Sequence, residues 1–406
     1  SGHLIKLYEE DEDLLEDVII EYKQAIEMVE MYSHILNSMM EVFASIISNN
    51  LNLVMKFLAS VTIILAIPTT IGGLWGMNVP VPLEGNEFGF VTITSMTSGY
   101  RPTVRHSFNG WQSHSIMDSV FFDRSKQGIS GHYFIPNPGA YVELRGQKNY
   151  ASRLDTCEHA SIFFYNKGEV TLSASVNKGE AQTETFSPTG ELREMDVTGR
   201  IGSVRWKVES ADSTLFYGLA MDGTQGIVVD NFSLRGSSGL SLRSVPVWMM
   251  REFNEQRPYD LIILQYGLNV ATERGRNYDR YRDGMATTIA HLKSAFPQAG
   301  ILVVSVGDRE YKTEEGDLRT MPGIKNLVRY QQNLAADSGV AFWNMFEAMG
   351  GEGSMADMVH AKPSLANYDY THINFRGGKH LAELLYEALV YGKEQYDRRR
   401  AYEAEP

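Results

Sequence analysis

The chain has 406 residues, which is long enough for two or three separate hydrophobic cores. Its 37 basic and 50 acidic residues give a formal net charge of −13, which argues against nucleic acid or an anionic surface as a partner. The single cysteine, Cys157, excludes an intrachain disulfide and a cysteine metal cluster. Residues 1–3, Ser-Gly-His, lack an initiator methionine and are interpreted as a cloning remnant outside the fold.

The first predicted element is a long helix with an acidic start. Neither glycine nor proline occurs from Leu4 to Ile67, and residues 1–50 hold eleven carboxylates against two lysines. Apolar residues recur three and four positions apart, as in the seam of a coiled coil. The seam consists of Leu15, Val18, Tyr22, Ala25, Val29, Tyr32, Leu36, Met39, Phe43 and Ile46. This pattern predicts a stalk helix that joins copies of the chain into a homo-oligomer, with one amphipathic helix on a globular core as the alternative.

An uncharged segment of nineteen residues, 57–75, follows the stalk. At the rise of an α-helix it nearly spans a hydrocarbon core of about 30 Å, so it predicts a transmembrane helix. Lys56 and Trp75 flank it as interfacial anchors do. Pro68 is tolerated in such a helix because neighbouring helices can satisfy the freed carbonyl. The alternative is a buried strand such as Val61–Ile67 in an α/β core.

The tripeptide Gly76-Met77-Asn78 comes directly after the apolar segment. In this position it resembles the outer pore mouth of CorA-type magnesium channels, and the resemblance spans residues 4–89. It implies a ring of subunits in which Gly76, Met77 and Asn78 form a metal site and the Asn78 carbonyl oxygens receive hydrated Mg²⁺. The chain departs from that family because it lacks the large domain before the stalk and a second membrane helix after residue 89.

Between residues 103 and 226 the sequence consists of short runs in which apolar and polar residues alternate, and Gly, Asn and Pro interrupt these runs. Short strands at this spacing predict a β-sandwich or jelly roll, placed here at residues 91–225 as a carbohydrate-binding-like module. Aromatic residues in this region are typical of a sandwich core, with stacking on sugar rings as the alternative. They include Trp111, Tyr133 and Tyr141.

Residues 226–400 alternate between apolar strands and helices. The predicted strands are Gly226–Phe232, Asp260–Tyr266, Gly300–Val306 and Val340–Trp343. The predicted helices are Ser244–Gln256, Tyr278–Phe296, Gly323–Ser338 and Arg376–Tyr391. Continuous apolar strands between helices predict an α/β fold whose parallel sheet is covered on both faces.

Four candidate catalytic residues lie where such folds place their chemistry, beyond the carboxyl ends of strands. Gly236 follows the first predicted strand, Asn269 follows the second, and Asp369 and His372 precede the last helix. An Asp three residues before a His can orient the imidazole while it takes a proton from a hydroxyl nucleophile. A backbone N–H and an amide NH₂ can stabilise an oxyanion. Each motif alone is ordinary, because turns and helix caps use the same residues.

In this order the four residues resemble three of the four blocks of the SGNH (GDSL-type) hydrolases. The resemblance implies a doubly wound, flavodoxin-like parallel sheet and a serine esterase that needs no cofactor. It also implies that His372 is the base, that Asp369 orients it, and that Gly236 and Asn269 form the oxyanion hole. The family's strand that ends in Gly-Asp-Ser is missing, because this tripeptide occurs nowhere in the chain.

Two further segments narrow the resemblance to the peptidoglycan O-acetylesterases. Thr103–Gln112 and Phe342–Met355 look like segments of those enzymes, which carry a β module between the serine and glycine blocks. The resemblance spans residues 89–395 and implies an O-acetyl ester of a cell-wall glycan as the substrate.

Both resemblances stop near Gly89-Phe90, and each lacks the segment that would adjoin this point. The chain is therefore interpreted as a join of two fragments: a bacterial membrane segment, and a periplasmic or extracytoplasmic esterase without turnover. A natural single-pass anchor fused to an esterase is the rival interpretation. A magnesium channel fragment and a non-catalytic glycan-binding module are the alternative functions. A strand between residues 226–232 and 260–266 would restore the enzyme.

Overall fold

The computed structural model describes residues 28–29, 87–94, 103–118, 122–146, 154–224, 227–232, 234 and 236–403. The chain divides into two compact units, residues 1–62 and 63–406, and the elements below belong to the second. Met28 and Val29 of the predicted stalk are helical. The rest of the stalk, the predicted membrane span 57–75 and the predicted metal site Gly76, Met77 and Asn78 lie outside the described residues. None of the described helices combines the length and apolarity that a membrane crossing needs.

Eleven strands form two antiparallel sheets in the first part of the described chain. They are β1 Glu87–Val91, β2 Val104–His106, β3 Trp111–Ser115, β4 His132–Pro136, β5 Tyr141–Arg145, β6 Cys157–Asn166, β7 Val170–Val176, β8 Ala181–Phe186, β9 Leu192–Ile201, β10 Ser203–Ala211 and β11 Thr214–Asp222. One sheet has the order β3-β4-β11-β6-β9, with β1 paired to β11, and the other has the order β2-β5-β10-β7-β8.

The two sheets share one hydrophobic core, to which inward-facing residues of both contribute. Ile162 and Phe164 come from the first sheet, and Leu172 and Trp206 from the second. Each is at most 1% exposed. Strands that alternate inward and outward residues in this way produce a sandwich. Trp111 (8% exposed) and Tyr133 (2% exposed) are likewise buried, as expected for core aromatics, while Tyr141 is half-buried under the Arg205 guanidinium.

Parallel strands and helices follow from residue 240 onwards. The strands are β12 Leu261–Gln265, β13 Gly300–Val304, β14 Glu310–Lys312, β15 Leu318–Thr320 and β16 Ala341–Trp343. The helices are α1 Val247–Gln256, α2 Asp279–Ala295, α3 Pro322–Asp337, α4 Met345–Ala348, α5 Ser354–His360 and α6 Phe375–Glu403, and short 3₁₀ turns occupy Arg124–Lys126 and Leu240–Ser244. The parallel sheet has the order β12-β13-β16, and β14 and β15 form a separate antiparallel hairpin.

The parallel sheet agrees in part with the predicted α/β fold. Three of the four predicted strands and all four predicted helices are present. Their ends shift by a few residues, except that the last helix, α6, ends at Glu403 and not at Tyr391. The larger doubly wound sheet stays a prediction, because the described parallel sheet has three strands. The apolar faces of α1, α2 and α3 pack into one cluster with Phe90, Phe163 and Tyr217 of the sandwich. One core therefore joins the sandwich to the α/β part.

The predicted strand Gly226–Phe232 is wrong, because residues 227–232 have no regular secondary structure. Asp230 in this segment accepts hydrogen bonds from Arg257 Nη2 (2.8 Å), the Tyr259 hydroxyl (2.8 Å) and the Phe90 backbone N–H (2.7 Å). These bonds fix the segment against the sandwich. A strand that is buried in a parallel sheet needs a continuous ladder of backbone partners, whereas this segment is held by the side-chain cluster around Arg257.

The chain near residue 90 follows a different path from the one that would restore the enzyme. β1 pairs antiparallel with β11, with Phe90 opposite Ala220, and does not lie between residues 227–232 and β12. Gly89 has a φ of +63°, and a Cβ there would lie 2.2 Å from the Val229 carbonyl oxygen. Only glycine fits a left-handed backbone in such close contact. The interpretation of a join near residue 90 stays a prediction.

The outer edge of β12 is exposed in consequence. β12 pairs with β13 on one side, and within the described chain no strand pairs with its other side. Leu261 and Ile263 are 42% and 44% exposed. Parallel strands are normally covered by neighbouring elements. β12 has the apolar composition of an interior strand, but no described strand covers its outer edge.

We expect Arg257→Met to lower the free energy of unfolding by about 3–5 kcal/mol, because it leaves two buried carboxylates without their cation. Asp222 and Asp230 bind the Arg257 guanidinium, and their side chains are 10% and 4% exposed. Urea denaturation followed by tryptophan fluorescence measures the change. Arg280→Met, on the exposed side of α2, is the matched control and should stay within about 0.5 kcal/mol of the parent. An equal loss in both variants would contradict a special role for Arg257.

Candidate functional site

Asp369 and His372 form a direct hydrogen bond at the entrance to α6. Asp369 Oδ2 lies 2.6 Å from His372 Nδ1. Its other oxygen, Oδ1, accepts from the backbone N–H groups of Thr371 and His372, both at 3.0 Å. The carboxylate therefore holds the imidazole and the turn that carries it at the same time. Because a carboxylate can only accept, Nδ1 carries the proton and Nε2 is the basic nitrogen.

The turn that holds this pair is fixed at several points. Tyr370 has a φ of 51°, an unfavourable left-handed conformation for a residue with a side chain. The Glu310 backbone N–H donates to the Tyr370 carbonyl oxygen at 3.0 Å. Asn374 Oδ1 then accepts from the N–H groups of Arg376 and Gly377 and caps the start of α6. Strand β14 and α6 thus fix the turn from opposite sides.

The electrostatics of the turn favour an ionised Asp369. Burial opposes the charge, but the hydrogen bonds from His372 and from the Thr371 and His372 backbone outweigh it and lower the pKa of the Asp369 carboxyl below its ordinary value. A depressed carboxyl pKa contributes stability above the pKa of the unfolded chain, and this stability is lost as the pH falls through the folded value. The pair is therefore formed at neutral pH. In this state it is suited to accept a proton at Nε2 and to stabilise the resulting imidazolium.

Gly236 and Asn269 lie close together because the Asn269 side chain contacts Ser237, the residue that follows Gly236. The Asn269 side-chain amide donates to the Ser237 carbonyl oxygen at 3.1 Å. An amide has two N–H donors, so this bond uses one of them. Gly236 adopts a φ of +76°, as a turn glycine does. The structure therefore places the two predicted oxyanion donors in neighbouring loops, after residues 227–232 and after β12.

Gln331 of α3 supports the loop that carries Asn269. Its amide donates to the Tyr266 carbonyl oxygen at 2.7 Å and accepts from the Val306 N–H at 2.9 Å, so it bridges the carboxyl ends of β12 and β13. Gly267 has a φ of +119°, and a Cβ there would lie 2.9 Å from Gln331 Nε2. The sequence reasoning missed Gln331. The signal that could have found it is a polar residue on the apolar face of a helix, three residues from Val328 and Leu334.

The two pairs of residues are not connected by direct contacts. Among the residues that the structure describes, no hydrogen bond or ion pair joins Asp369 or His372 to Gly236 or Asn269. In the same residues, no serine hydroxyl hydrogen-bonds to His372. Ser237 is the serine next to Asn269, but it is 5% exposed and its Oγ accepts from the Gly239 N–H within its own turn. Within the described residues, the Asp369–His372 pair therefore has no serine hydroxyl as a hydrogen-bonded neighbour.

A second group of Ser, His and Asp side chains lies on the sandwich. Asp196 Oδ1 lies 3.4 Å from His159 Nε2 and accepts from the Ser161 hydroxyl at 2.7 Å. The order of contacts is wrong for nucleophilic catalysis, because the serine donates to the carboxylate and not to the imidazole. The hydrogen bond that His159 donates to Asp196 is the main cause that raises the pKa of His159, against the effect of burial. This group is interpreted as a structural ion pair.

Metal binding has no support in the described part of the chain. There, no group of three or more His, Cys, Asp and Glu side chains is placed to hold an ion.

Two further acidic residues near the site, Asp308 and Glu310, were not singled out from the sequence as functional. Their position after a buried parallel strand, where α/β folds place functional groups, is the signal that was available.

Comparisons with known proteins divide the chain into two parts. Residues 3–99 match the model of the CorA-like Mg²⁺ transporter protein family. This N-terminal part is CorA-like. The cobalt/magnesium transport protein CorA of Methanocaldococcus jannaschii is 36% identical over 88 residues, which are 21% of this chain and 28% of that protein. The chain thus spans little more than a quarter of the length of this CorA relative.

The solved structures match a larger share of the chain. A peptidoglycan O-acetylesterase superposes with a TM-score of 0.58 at 19% identity, and the match covers 75% of this chain and 81% of the esterase. This likeness establishes a shared fold. A family two carbohydrate esterase from Cellvibrio japonicus covers 71% of this chain and 97% of its own, but its TM-score of 0.26 and 10% identity carry no weight. Both resemblances expected from the sequence, to CorA and to the peptidoglycan O-acetylesterases, are confirmed.

We expect Asp369→Asn to remove the low-field NMR signal of the His372 Nδ1 proton. The signal arises because the proton lies in a short bond to a carboxylate, and a neutral amide accepts more weakly. Proton NMR in water, with ¹⁵N-labelled histidine, measures it. Asp317→Asn, in the exposed turn after β14, is the control and should leave the signal in place. A signal that persists in Asp369→Asn would show that another group orients His372.

Proposed function

We propose that residues 236–372 form the acid–base and oxyanion-stabilising part of an SGNH-type ester hydrolase for O-acetyl groups of a cell-wall glycan. The observation that carries the proposal is the 2.6 Å contact between Asp369 Oδ2 and His372 Nδ1 on the turn before α6. The fold shared with a peptidoglycan O-acetylesterase supports it. The substrate class comes from that relative and from the sequence resemblance.

The proposed chemistry assigns one task to each residue. His372 Nε2 takes the proton of a serine hydroxyl as its oxygen attacks the acetyl carbonyl carbon, and later returns that proton to the departing sugar oxygen. Asp369 keeps Nδ1 protonated and stabilises the imidazolium. The Gly236 N–H and the Asn269 NH₂ donate to the oxyanion, and the loss of one such donor commonly costs about a hundredfold in rate. Water then hydrolyses the acetyl-serine by the same proton path.

The chain lacks the serine block that this mechanism requires. No Gly-Asp-Ser occurs in the sequence, and β1 pairs with β11 and not with β12. We therefore propose a substrate-binding site without turnover. Such a site distinguishes acetylated from deacetylated glycan by the oxyanion donors alone, since a neutral hydrogen bond is worth about 0.5–1.5 kcal/mol.

We expect the protein to bind O-acetylated muropeptides and to release acetate no faster than a protein-free control. Isothermal titration calorimetry measures binding, and an acetate assay measures turnover. Asn269→Ala should weaken binding of the acetylated ligand about two- to tenfold, because one hydrogen bond is lost, and leave deacetylated muropeptide unchanged. In this proposal the affinity that remains in Asn269→Ala comes from the sandwich, which then acts as a glycan-binding module.

Two results would contradict the proposal in different ways. Failure to bind either muropeptide would remove the glycan as the ligand. Acetate release that disappears in His372→Ala but persists in His380→Ala, an exposed histidine of α6, would reveal a surrogate nucleophile and an active enzyme.

The CorA-like part supports a second candidate function, a fragment of a divalent-cation channel. In this proposal residues 57–75 cross a membrane, the stalk forms a homo-oligomer, and Asn78 faces Mg²⁺ at the pore mouth. Together with the esterase proposal it places the N-terminal segment in the bacterial membrane and the hydrolase part outside the cytoplasm. The family match covers residues 3–99, whereas the structural match to the esterase covers 75% of the chain.

We expect no Mg²⁺ flux when the protein is reconstituted in liposomes, because one predicted membrane helix per chain cannot supply the family's second helix. A magnesium-sensitive dye inside the vesicles measures flux. The matched control for Asn78→Ala is Asn86→Ala, the same substitution eight residues later and outside the Gly-Met-Asn motif. Flux that is present in the parent, lost in Asn78→Ala and retained in Asn86→Ala would contradict this expectation and favour the channel.

A further inference from the structure

Two buried carboxyl groups, Asp308 and Glu310, lie next to the Asp369–His372 turn. Asp308 is 1% exposed and Glu310 is 5% exposed. Asp308 accepts hydrogen bonds from the Thr320 hydroxyl at 2.8 Å and the Met355 N–H at 2.9 Å. Glu310 Oε1 accepts from the Ala356 N–H at 3.1 Å. Both carboxyl groups thus hold the first turn of α5.

Within the described chain this pair has no compensating cation. Among those residues neither carboxyl group forms an ion pair, and the charges that act on Glu310 are those of Asp308 and Asp357, which are both acidic. When two neighbouring carboxylates are both withdrawn from water, their ionisation is coupled, and one of them holds a proton to a higher pH than a free carboxyl group does.

The hydrogen bonds decide which group carries it. Asp308 accepts from two donors, one on each oxygen. Glu310 accepts from one donor, and its Oε2 is buried without a hydrogen-bond partner. An ionised Glu310 would leave charge on an oxygen that no N–H or O–H contacts. The proton is therefore assigned to Glu310.

Glu310 also connects α5 to the candidate site. Its side chain binds the Ala356 N–H at the start of α5, and its own backbone N–H donates to the Tyr370 carbonyl oxygen at 3.0 Å. Tyr370 is the residue between Asp369 and the rest of the turn, held at a φ of 51°. A shift of Glu310 therefore reaches the turn through one hydrogen bond.

We propose that Glu310 is a positioning residue that binds a proton in the folded protein, and that loss of this proton displaces β14 and the Asp369–His372 turn. An ionised Glu310 is repelled by Asp308 and needs water that its position excludes, so the strand moves outward. The relevance of this turn to an ester substrate rests on the proposed function. The proton and the displacement do not, because both are observable without a substrate.

The direction of the pH effect follows from the same contacts. Burial, followed by the negative charge of Asp308, raises the pKa of Glu310 above its ordinary value in spite of the Ala356 N–H. A raised carboxyl pKa means that the folded protein binds more protons than the unfolded chain between the two values. Its stabilising contribution is therefore complete at low pH and is lost as the pH rises through the folded value.

The test follows the Glu310 carboxyl carbon and the turn amides by NMR from about pH 4 to about pH 9, a range that brackets the ordinary carboxyl pKa and a strongly raised one. We expect the ¹³Cδ signal of Glu310, assigned by its absence in Glu310→Gln, to change from a protonated to an ionised carboxyl at a higher pH than that of a free glutamate side chain. As it ionises, the Tyr370 and Thr371 amide signals should shift with the same midpoint. In Glu310→Gln, which keeps the acceptor for Ala356, this shift should be lost.

Glu315→Gln, in the exposed turn between β14 and β15, is the control and should keep the coupled shift. A Glu310 carbon that titrates no higher than a free glutamate side chain, or turn amides that do not follow its titration, would overturn the proposal. The titration of the parent protein decides both points even if Glu310→Gln fails to fold. Muropeptide binding is measured separately, so a failed ligand and a failed proton assignment give different results.

Discussion

The arrangement of the described chain depends on the ion pairs that the Arg257 guanidinium forms. It binds Asp222 at the end of β11 and Asp230 in the irregular segment, and Asp230 also accepts from the Phe90 N–H of β1. Burial acts against the charge of Arg257, but the two carboxylates outweigh it and raise its pKa. A desolvated cation between two desolvated anions tolerates few geometries, because each unpaired charge would be costly. The cluster thus fixes the start and the end of the sandwich together.

The same cluster fixes residues 227–232, while other contacts order the two candidate parts of the site. Residues 227–232 are held against the sandwich and do not form the strand that would lie near β12. The turn at Asp369–His372 and the loop at Asn269 are held by different contacts, from β14, α6 and Gln331. Each half of the site is therefore anchored locally, and neither depends on the missing strand for its own geometry.

The sequence was sufficient to predict the elements whose pattern is local. The apolar runs of β12, β13 and β16 and the helices between them reflect periodicities that local packing preserves. The hydrogen bond between Asp369 and His372 followed from a spacing of three residues. Residues 227–232 were mispredicted because an apolar run forms a strand only where a neighbouring strand can pair with it, and here Asp230 is drawn to Arg257. The Asp308–Glu310 pair was not recognised from the sequence, because it hydrogen-bonds to α5, which is distant along the chain.

The contact between Phe90 and Asp230 has a consequence for the architecture as a whole. The two residues are 140 positions apart, yet a backbone N–H of one reaches the carboxylate of the other. The chain therefore leaves for the sandwich and returns from it at a single point. A segment with adjacent ends behaves as an insertion: it can be gained, lost or exchanged without re-routing the polypeptide around it. The sandwich is in this sense a unit with adjacent ends, and it packs on the α/β part through the core that the two share.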